Sequence, residues 1–246
     1  VTGVQTCALP ICYEEAINCY CLATSINSNY AEAYSNKGNA MQKLALYQKA
    51  IDCYEKALQK QADLYSAWAH MGMAFHKLKK YSDAFFCIDK ALDLSPSYSE
   101  GWALKGLFFF WLDNPQKSIE CTDKAIQFNP TYAEAMADKA ASLVKLNRYE
   151  EAIFWFEKAF QLNPNIDFLL GHIVDTKLKI GQWSGLEKYR QLIVKGLESE
   201  KKVIAPFVTL SMFDSLQVNL KAAKIFVKAT IANKNYLPLE TVTRNK

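Results

Sequence analysis

Small, aromatic and polar residues recur along the chain at a spacing typical of α-helices. In the first clear segment, the positions i, i+3, i+4 and i+7 are occupied by Tyr34, Lys37, Gly38 and Met41, so these residues share one face of a helix. Ala50, Tyr54 and Ala57 mark a similar face on the segment that follows. The pattern predicts a pair of α-helices in which small residues allow a close approach and aromatic rings fill the gap between them.

The same pattern returns every 34 residues. One series consists of Ala23, Ala57, Ala91, Ala125 and Ala159. A second series consists of Gly38, Gly72, Gly106 and Ala140. A third consists of Pro96, Pro130 and Pro164. Several series in register over four or five copies indicate a repeat of one helix–turn–helix unit.

Asparagine–proline pairs mark the ends of the predicted helices. Asn129-Pro130 and Asn163-Pro164 follow second helices, where we expect asparagine in the left-handed conformation that ends a helix and proline to stop it. Asn114-Pro115 is expected to begin a second helix, with asparagine as its cap and proline at its first position.

A 34-residue unit with an aromatic near its start, glycine four residues later, and then alanine, aromatic, alanine and proline resembles the tetratricopeptide repeat (TPR). The resemblance implies an all-α fold, a right-handed helix–turn–helix superhelical solenoid with extra C-terminal helices. The expected organisation is half a unit at 12–30, four units at 31–64, 65–98, 99–132 and 133–166, and a degenerate helical extension at 167–246.

The first residues, Val1–Ile11, fit neither a repeat nor a signal peptide. They resemble the translation of a sequencing adapter, so we interpret residues 1–11 as a sequence artefact of an environmental assembly; the alternative is a natural N-terminus. Residues 12–30 match only the second helix of a unit. Because a repeat buries its apolar face against its neighbours, we expect an exposed apolar flank there and a frayed N-terminus.

The TPR resemblance implies that the inward positions of each first helix hold a protein or an extended peptide. By position, the candidate binding residues are Ser35, Asn36, Asn39, Lys43, His70, Met73, Lys77, Leu107, Phe110, Trp111, Asp138 and Lys145. Among them, Leu107, Phe110 and Trp111 are candidate apolar anchors, which are typical of binding hot spots. The alternative is that these three side chains pack on adjacent helices.

The extension resembles the junction between repeats and catalytic region in Spindly-type protein O-GlcNAc transferases. The resemblance rests on a helix at 168–180, the turn 181–184, residues 188–193, the step Ala205-Pro206-Phe207 and the helix start at 214–217. It implies that the chain is the N-terminal arm of a transferase; the alternative is a stand-alone TPR adaptor. We expect helices at 167–180, 183–203 and 214–233, with Ala205-Pro206-Phe207 breaking the second.

Charge and cysteine content narrow the possible partners. The net charge is +4 and no basic block occurs, so no nucleic-acid partner is expected. The longest apolar run, Gly106–Leu112, is too short for a membrane span. Four cysteines share the 34-residue spacing, which places neighbours roughly 10 Å apart, too far for a disulfide. They are Cys19, Cys53, Cys87 and Cys121. Unpaired packing cysteines indicate a cytoplasmic protein.

No sequence motif points to a reaction. The histidines His70, His76 and His172 lack metal-ligand spacing. We expect His70 and His76 to be solvated on first helices; the alternative is a contact with a ligand in the groove. Phosphate-binding glycine loops and nucleophile motifs are missing from the sequence. We therefore expect a binding protein that is not itself an enzyme and needs no metal or cofactor.

Overall fold

The computed structural model describes residues 10–231, which form thirteen α-helices and no strand. They divide into two compact units between Thr131 and Tyr132. The predicted all-α helix–turn–helix repeat solenoid is confirmed. The interpretation of residues 1–9 lies outside the described residues, as do the last two residues of the helix expected at 214–233. Within the described residues, no helix is both long and apolar enough to cross a membrane.

The first unit contains seven helices, of which α2 to α7 form three pairs. The helices are α1 (Pro10–Ile26), α2 (Ala31–Lys43), α3 (Tyr47–Lys60), α4 (Tyr65–Lys77), α5 (Tyr81–Leu94), α6 (Ser99–Trp111) and α7 (Pro115–Phe128). Each pair joins a first helix to a second helix of nearly equal length. On α1, Cys19 is exposed and Tyr20 is half-buried, whereas their counterparts Cys53 and Tyr54 on α3 are buried.

The glycine series lies where the two helices of a pair touch. A Cβ atom on Gly38 would lie 2.6 Å from the ring of Tyr54, and one on Gly72 would lie 3.0 Å from the carbonyl oxygen of Ala84. Gly106 meets the carbonyl oxygen of Ser118 at 3.1 Å in the same way. The contact at Gly38 leaves no room for a side chain, and those at Gly72 and Gly106 are tighter than ordinary Cβ contacts, so glycine favours the close approach of the paired helices.

In the four helix pairs, left-handed backbone positions lie in the turn between the two helices. They recur with the repeat at Ala45, Lys79, Asp113 and Asn147, whose φ angles are 58°, 61°, 57° and 58°. The prediction of left-handed asparagines after the second helices is wrong, since Asn129 and Asn163 have φ angles of −134° and −141°. Each precedes a proline, whose ring disfavours helical backbone at the residue before it.

Asparagine side chains instead stabilise these turns by accepting hydrogen bonds. The Asn129 Oδ1 atom accepts from the backbone N–H of Thr131 at 3.2 Å, and Asn163 Oδ1 accepts from Asn165 at 3.1 Å. The predicted helix cap at Asn114 is confirmed, because its Oδ1 accepts from the N–H of Lys117 at 3.2 Å and α7 begins at Pro115.

The second unit contains one more pair and four further helices. They are α8 (Ala133–Lys145), α9 (Tyr149–Leu162), α10 (Leu169–Lys179), α11 (Leu186–Glu198), α12 (Pro206–Met212) and α13 (Leu216–Ile231). The step at Pro206 was expected only to break a helix, yet it begins the short helix α12. Proline suits that position because its fixed φ is helical and a first helical residue needs no N–H donor.

Buried polar contacts tie the extension to the last pair of helices. The ammonium of Lys177 on α10 lies 3.0 Å from Glu157 Oε1 on α9, and the Tyr189 hydroxyl on α11 donates to the same oxygen at 2.7 Å. The His172 ring stacks on Phe156, with 5.7 Å between centroids. Helix α10 therefore covers α9 as a further first helix would.

Candidate functional site

Within the first unit, the candidate binding residues occupy matching positions on α2, α4 and α6. Lys43, Lys77 and Trp111 are one repeat apart, and so are Asn39, Met73 and Leu107. Asn36 and His70 form a third row, and Phe110 lies beside Trp111 on α6. We call these residues the first-helix strip. Because neighbouring first helices are in contact, the rows run across the repeats.

The strip begins at a small cavity between α1 and α2. Asn36, Asn39 and Lys43 line this cavity of about 160 Å³ together with Tyr13 and Tyr20. From the second helix α3, the buried Tyr54 hydroxyl lies 2.8 Å from Asn39 Oδ1, within hydrogen-bond distance. The amide nitrogen of Asn39 is then the donor that a ligand in the cavity can use.

The centre of the strip holds a carboxylate that the sequence analysis missed. His70 Nε2 lies 3.5 Å from Glu100 Oε1, and the Tyr98 hydroxyl donates to Glu100 Oε2 at 2.9 Å. The hydrogen bond from His70 is the main reason why the pKa of Glu100 is lowered, with burial opposing it and the charge of Lys43 contributing. The position of Glu100 in the first turn of α6 did not indicate a binding role, because acidic residues are common in the first turn of helices.

The far end of the strip combines an ammonium with an aromatic ring. Lys77 Nζ lies 4.6 Å from the centroid of the Trp111 ring, a cation–π contact. Trp111 remains 41% exposed. Burial lowers the pKa of Lys77. Met73, Leu107 and Phe110 are half-buried, so they offer less accessible surface than Trp111.

His76 is buried, and the expectation of a solvated side chain is wrong. It is 8% exposed and stacks on Phe108 at 4.6 Å between ring centroids, with Trp111 at 4.5 Å and Tyr81 at 5.2 Å. Burial, with a smaller contribution from the charge of Lys77, lowers the pKa of His76 to about 4. The imidazole is therefore neutral at pH 7 and supports the Trp111 ring from behind. The expectation also fails for His70, which is half-buried.

We expect His76 to make the chain less stable in mild acid. Its pKa is about 4 in the folded state, against 6.5 for a free imidazole. Between these pH values the unfolded chain binds a proton that the folded chain does not, so stability falls as pH drops below 6.5. Urea unfolding at pH 7 and pH 4.5 should show a loss of about 2 kcal/mol from this group. The same change of pH should cost the His76→Phe variant about that much less stability than it costs the unaltered chain. An equal loss of stability in both proteins would contradict the assignment.

Three candidate residues do not join the strip in the first unit. Ser35 is buried, so its hydroxyl is not available to a ligand. Asp138 and Lys145 lie on α8 in the second unit. Burial and the nearby charge of Glu134 raise the pKa of Asp138 to about 7, so its carboxyl titrates near neutral pH.

Three of the four cysteines that share the 34-residue spacing are packing residues. Cys53, Cys87 and Cys121 are buried and free, whereas Cys19 is exposed. Burial raises the pKa of Cys87 to about 12 and that of Cys121 to about 11, so both stay as thiols. In the described part of the chain, no three His, Cys, Asp or Glu residues are grouped as a metal site would require.

Comparisons with known proteins place the repeats in a family. The family described as the Psidin N-terminal TPR repeats region matches residues 39–186, and the TPR repeat matches residues 13–44. Among curated proteins, no sequence matches the chain.

Solved structures share the fold at low sequence identity. PilF of Pseudomonas aeruginosa is 16% identical with a TM-score of 0.64, over 82% of this chain and 94% of its own. MamA of Desulfovibrio magneticus RS-1 is 16% identical with a TM-score of 0.57, over 69% of this chain and 96% of its own. YrrB, described as a TPR protein with an unusual peptide-binding site, is 18% identical with a TM-score of 0.51, over 83% of this chain and 97% of its own.

Proposed function

The chain belongs to the TPR family of the Psidin N-terminal repeats region, and from this premise we propose that it is a scaffold that binds an extended peptide along the first-helix strip. The strip of the first unit is the observation that carries the proposal. It presents amide donors, a carboxylate, two ammonium groups and an exposed indole ring on three successive first helices. Repeated groups of this kind fit a ligand that is itself extended and periodic.

The side chains of the strip indicate the chemistry of the peptide. Trp111, with its exposed ring, suits an apolar side chain as an anchor. Lys77 contacts that ring, and Lys43 is exposed beside the α1–α2 cavity, so acidic side chains of a peptide can pair with either ammonium. Glu100, held by His70 and Tyr98, can accept from a peptide N–H. We therefore propose a peptide with an apolar anchor near acidic residues.

Trp111→Ala is expected to weaken peptide binding by at least about tenfold, because aromatic anchors dominate binding energy at such surfaces. A random twelve-residue peptide library displayed on phage and selected on the full chain supplies the ligand. The selected peptide, labelled with a fluorophore, is then titrated with each variant and its anisotropy is measured. Lys43→Ala should weaken binding by about threefold, as expected for a partly exposed charge pair.

Trp183→Ala is the matched control for this experiment. Trp183 is an exposed tryptophan in the second unit, so its loss should leave the affinity unchanged. Circular dichroism checks that every variant is folded. Equal affinities for Trp111→Ala, Trp183→Ala and the unaltered chain would contradict the proposal.

We also propose that the chain is the N-terminal arm of a transferase related to the Spindly-type protein O-GlcNAc transferases. Four helices follow the last repeat pair, and α13 begins at Leu216, close to the helix start that the junction resemblance predicts. A binding arm next to a glycosyltransferase would select its protein substrates. The alternative of a stand-alone TPR adaptor has the same binding function without the linked enzyme.

Sequencing of the source locus separates these two alternatives. A single long read should show the reading frame continuing past residue 246 into two nucleotide-sugar-binding lobes if the chain is a transferase arm. A stop codon directly after residue 246 would leave the adaptor. The same read would show whether a normal first helix precedes residue 12 in place of the adapter-like peptide.

A further inference from the structure

An open groove of about 470 Å³ lies between the second helices α3 and α5, on other surfaces of the repeats than the first-helix strip. Its floor is formed by Trp68, Met71 and Phe75 of the first helix α4. Glu55 and Asp83 contribute one carboxylate from each second helix. We call this surface the α3–α5 groove.

The aromatic floor of the α3–α5 groove is held in a fixed position. The indole N–H of Trp68 donates to the backbone oxygen of Ala62 at 2.9 Å, which fixes the plane of the ring. Phe86 of α5 meets this ring edge-on at 6.1 Å between centroids and is itself 56% exposed. A ligand entering the groove therefore meets a rigid aromatic surface.

Negative charge is placed at the middle of this groove. Glu55 and Asp83 both act on the buried thiol of Cys87 at the groove wall, where their charges add to burial in raising its pKa. Two lysines lie near rings that line the groove. Lys80 Nζ is 5.8 Å from the ring of Phe75, and Lys90 Nζ is 5.8 Å from the ring of Phe86.

One repeat later, the chain's own lysines occupy the equivalent position. Lys124 lies 4.0 Å from the centroid of Trp102, which is the counterpart of Trp68. Lys105 lies 5.5 Å from the same ring and pairs with Asp89, the counterpart of Glu55, at 2.6 Å. A third lysine, Lys117, lies 5.5 Å from the ring of Phe109.

The α3–α5 groove keeps the aromatic rings and a carboxylate found in the next repeat, but it lacks two of the three lysines. Met71 stands where the next repeat has Lys105, and Asp83 stands where it has Lys117. The aromatic pair and the first carboxylate are retained as Trp68, Phe75 and Glu55. The third lysine is retained as Lys90, the counterpart of Lys124, but it lies 5.8 Å from the ring of Phe86. The carboxylates of Glu55 and Asp83 beside Trp68 are thus open to an outside cation.

We propose that the α3–α5 groove binds a lysine or arginine side chain of a protein partner. The charged group lies over the face of Trp68, between the carboxylates of Glu55 and Asp83, and its methylene stem packs on Met71 and Phe75. Cation–π attraction and charge pairing then act together, as they do between Lys105, Trp102 and Asp89 in the next repeat. The site is independent of the first-helix strip.

The test is a titration of the full chain, monitored by NMR through the indole N–H signals of its tryptophans. The probe is the peptide acetyl-Gly-Leu-Lys-Leu-Gly-amide, and its counterpart carries glutamate in place of lysine. The lysine peptide should shift the Trp68 signal saturably and leave the Trp102 signal in place, while the glutamate peptide shifts neither. Equal shifts with the two peptides, equal shifts of Trp68 and Trp102, or no saturable shift would overturn the proposal.

Asp83→Lys tests the site without disturbing its floor. The new lysine reproduces Lys117 of the next repeat and should weaken binding of the lysine peptide by about tenfold or more. Asp63→Lys is the matched control, because Asp63 is an exposed aspartate in the turn before α4 and makes the same change of charge. Glu55→Gln should weaken binding by about threefold. Unchanged affinity in Asp83→Lys, with its other indole signals intact, would also overturn the proposal.

Discussion

Tyr54→Ala is expected to lower the free energy of unfolding by about 4 kcal/mol, a large effect for one side chain. The Tyr54 ring is fully buried and fills the contact between α3 and Gly38 on α2. Its hydroxyl lies within hydrogen-bond distance of the amide oxygens of Asn39 and Gln42, at 2.8 and 2.9 Å. Truncation therefore leaves a cavity and removes the partner of two polar groups. Urea unfolding followed by circular dichroism measures the change.

Two variants separate the ring of Tyr54 from its hydroxyl. Tyr54→Phe keeps the ring and should cost about 1 kcal/mol, the usual value of one hydrogen bond. Tyr30→Ala removes an exposed tyrosine before α2 and should also cost less than about 1 kcal/mol. If Tyr54→Ala cost no more than Tyr30→Ala, the close contact at Gly38 would not be the centre of packing in the first unit.

Glu157→Ala is expected to cost about 3 kcal/mol in the second unit, because it leaves a buried charge without its partner. Lys177 has a side chain that is only 7% exposed, and its ammonium lies 3.0 Å from the Glu157 carboxylate. The substitution also removes the acceptor of the Tyr189 hydroxyl. Urea unfolding at pH 7 should therefore show a large loss of stability, centred on α9, α10 and α11.

The double variant Glu157→Ala with Lys177→Met is the control for this explanation. It removes the stranded ammonium and should regain more than half of the lost stability, since an apolar side chain is tolerated at a buried position. Glu151→Ala breaks an exposed pair with Arg148, and its effect on stability should be small beside that of Glu157→Ala. A double variant that was no more stable than Glu157→Ala alone would show that the charge is not the reason for the loss.

The architecture was predictable because its determinants are local and periodic. Gly38, Gly72 and Gly106 mark helix contacts in the sequence, and the structure places each against the second helix of its pair. Asn114-Pro115 could be read as a helix start because both residues act on their own backbone. The glycines repeat with the 34-residue unit, so several copies support that prediction.

The features that could not be predicted depend on contacts between helices. The sequence pattern of α4 predicted His76 on the surface, but Phe108 and Trp111 of the next first helix, α6, bury its side chain. Glu100 gains its role from His70, which is thirty residues away on α4. In Asn129, the influence of the following proline on the backbone outweighed the tolerance of asparagine for the left-handed region.

Binding of a peptide along the first-helix strip can be observed by NMR from the indole N–H signals of the five tryptophans during titration with the selected peptide. We expect the Trp111 signal to shift saturably, with the affinity found by anisotropy. The signals of Trp68 and Trp102, which lie on other surfaces of the repeats, should stay in place. Saturable binding that leaves Trp111 unmoved and shifts Trp68, Trp102 or Trp183 instead would contradict the claim.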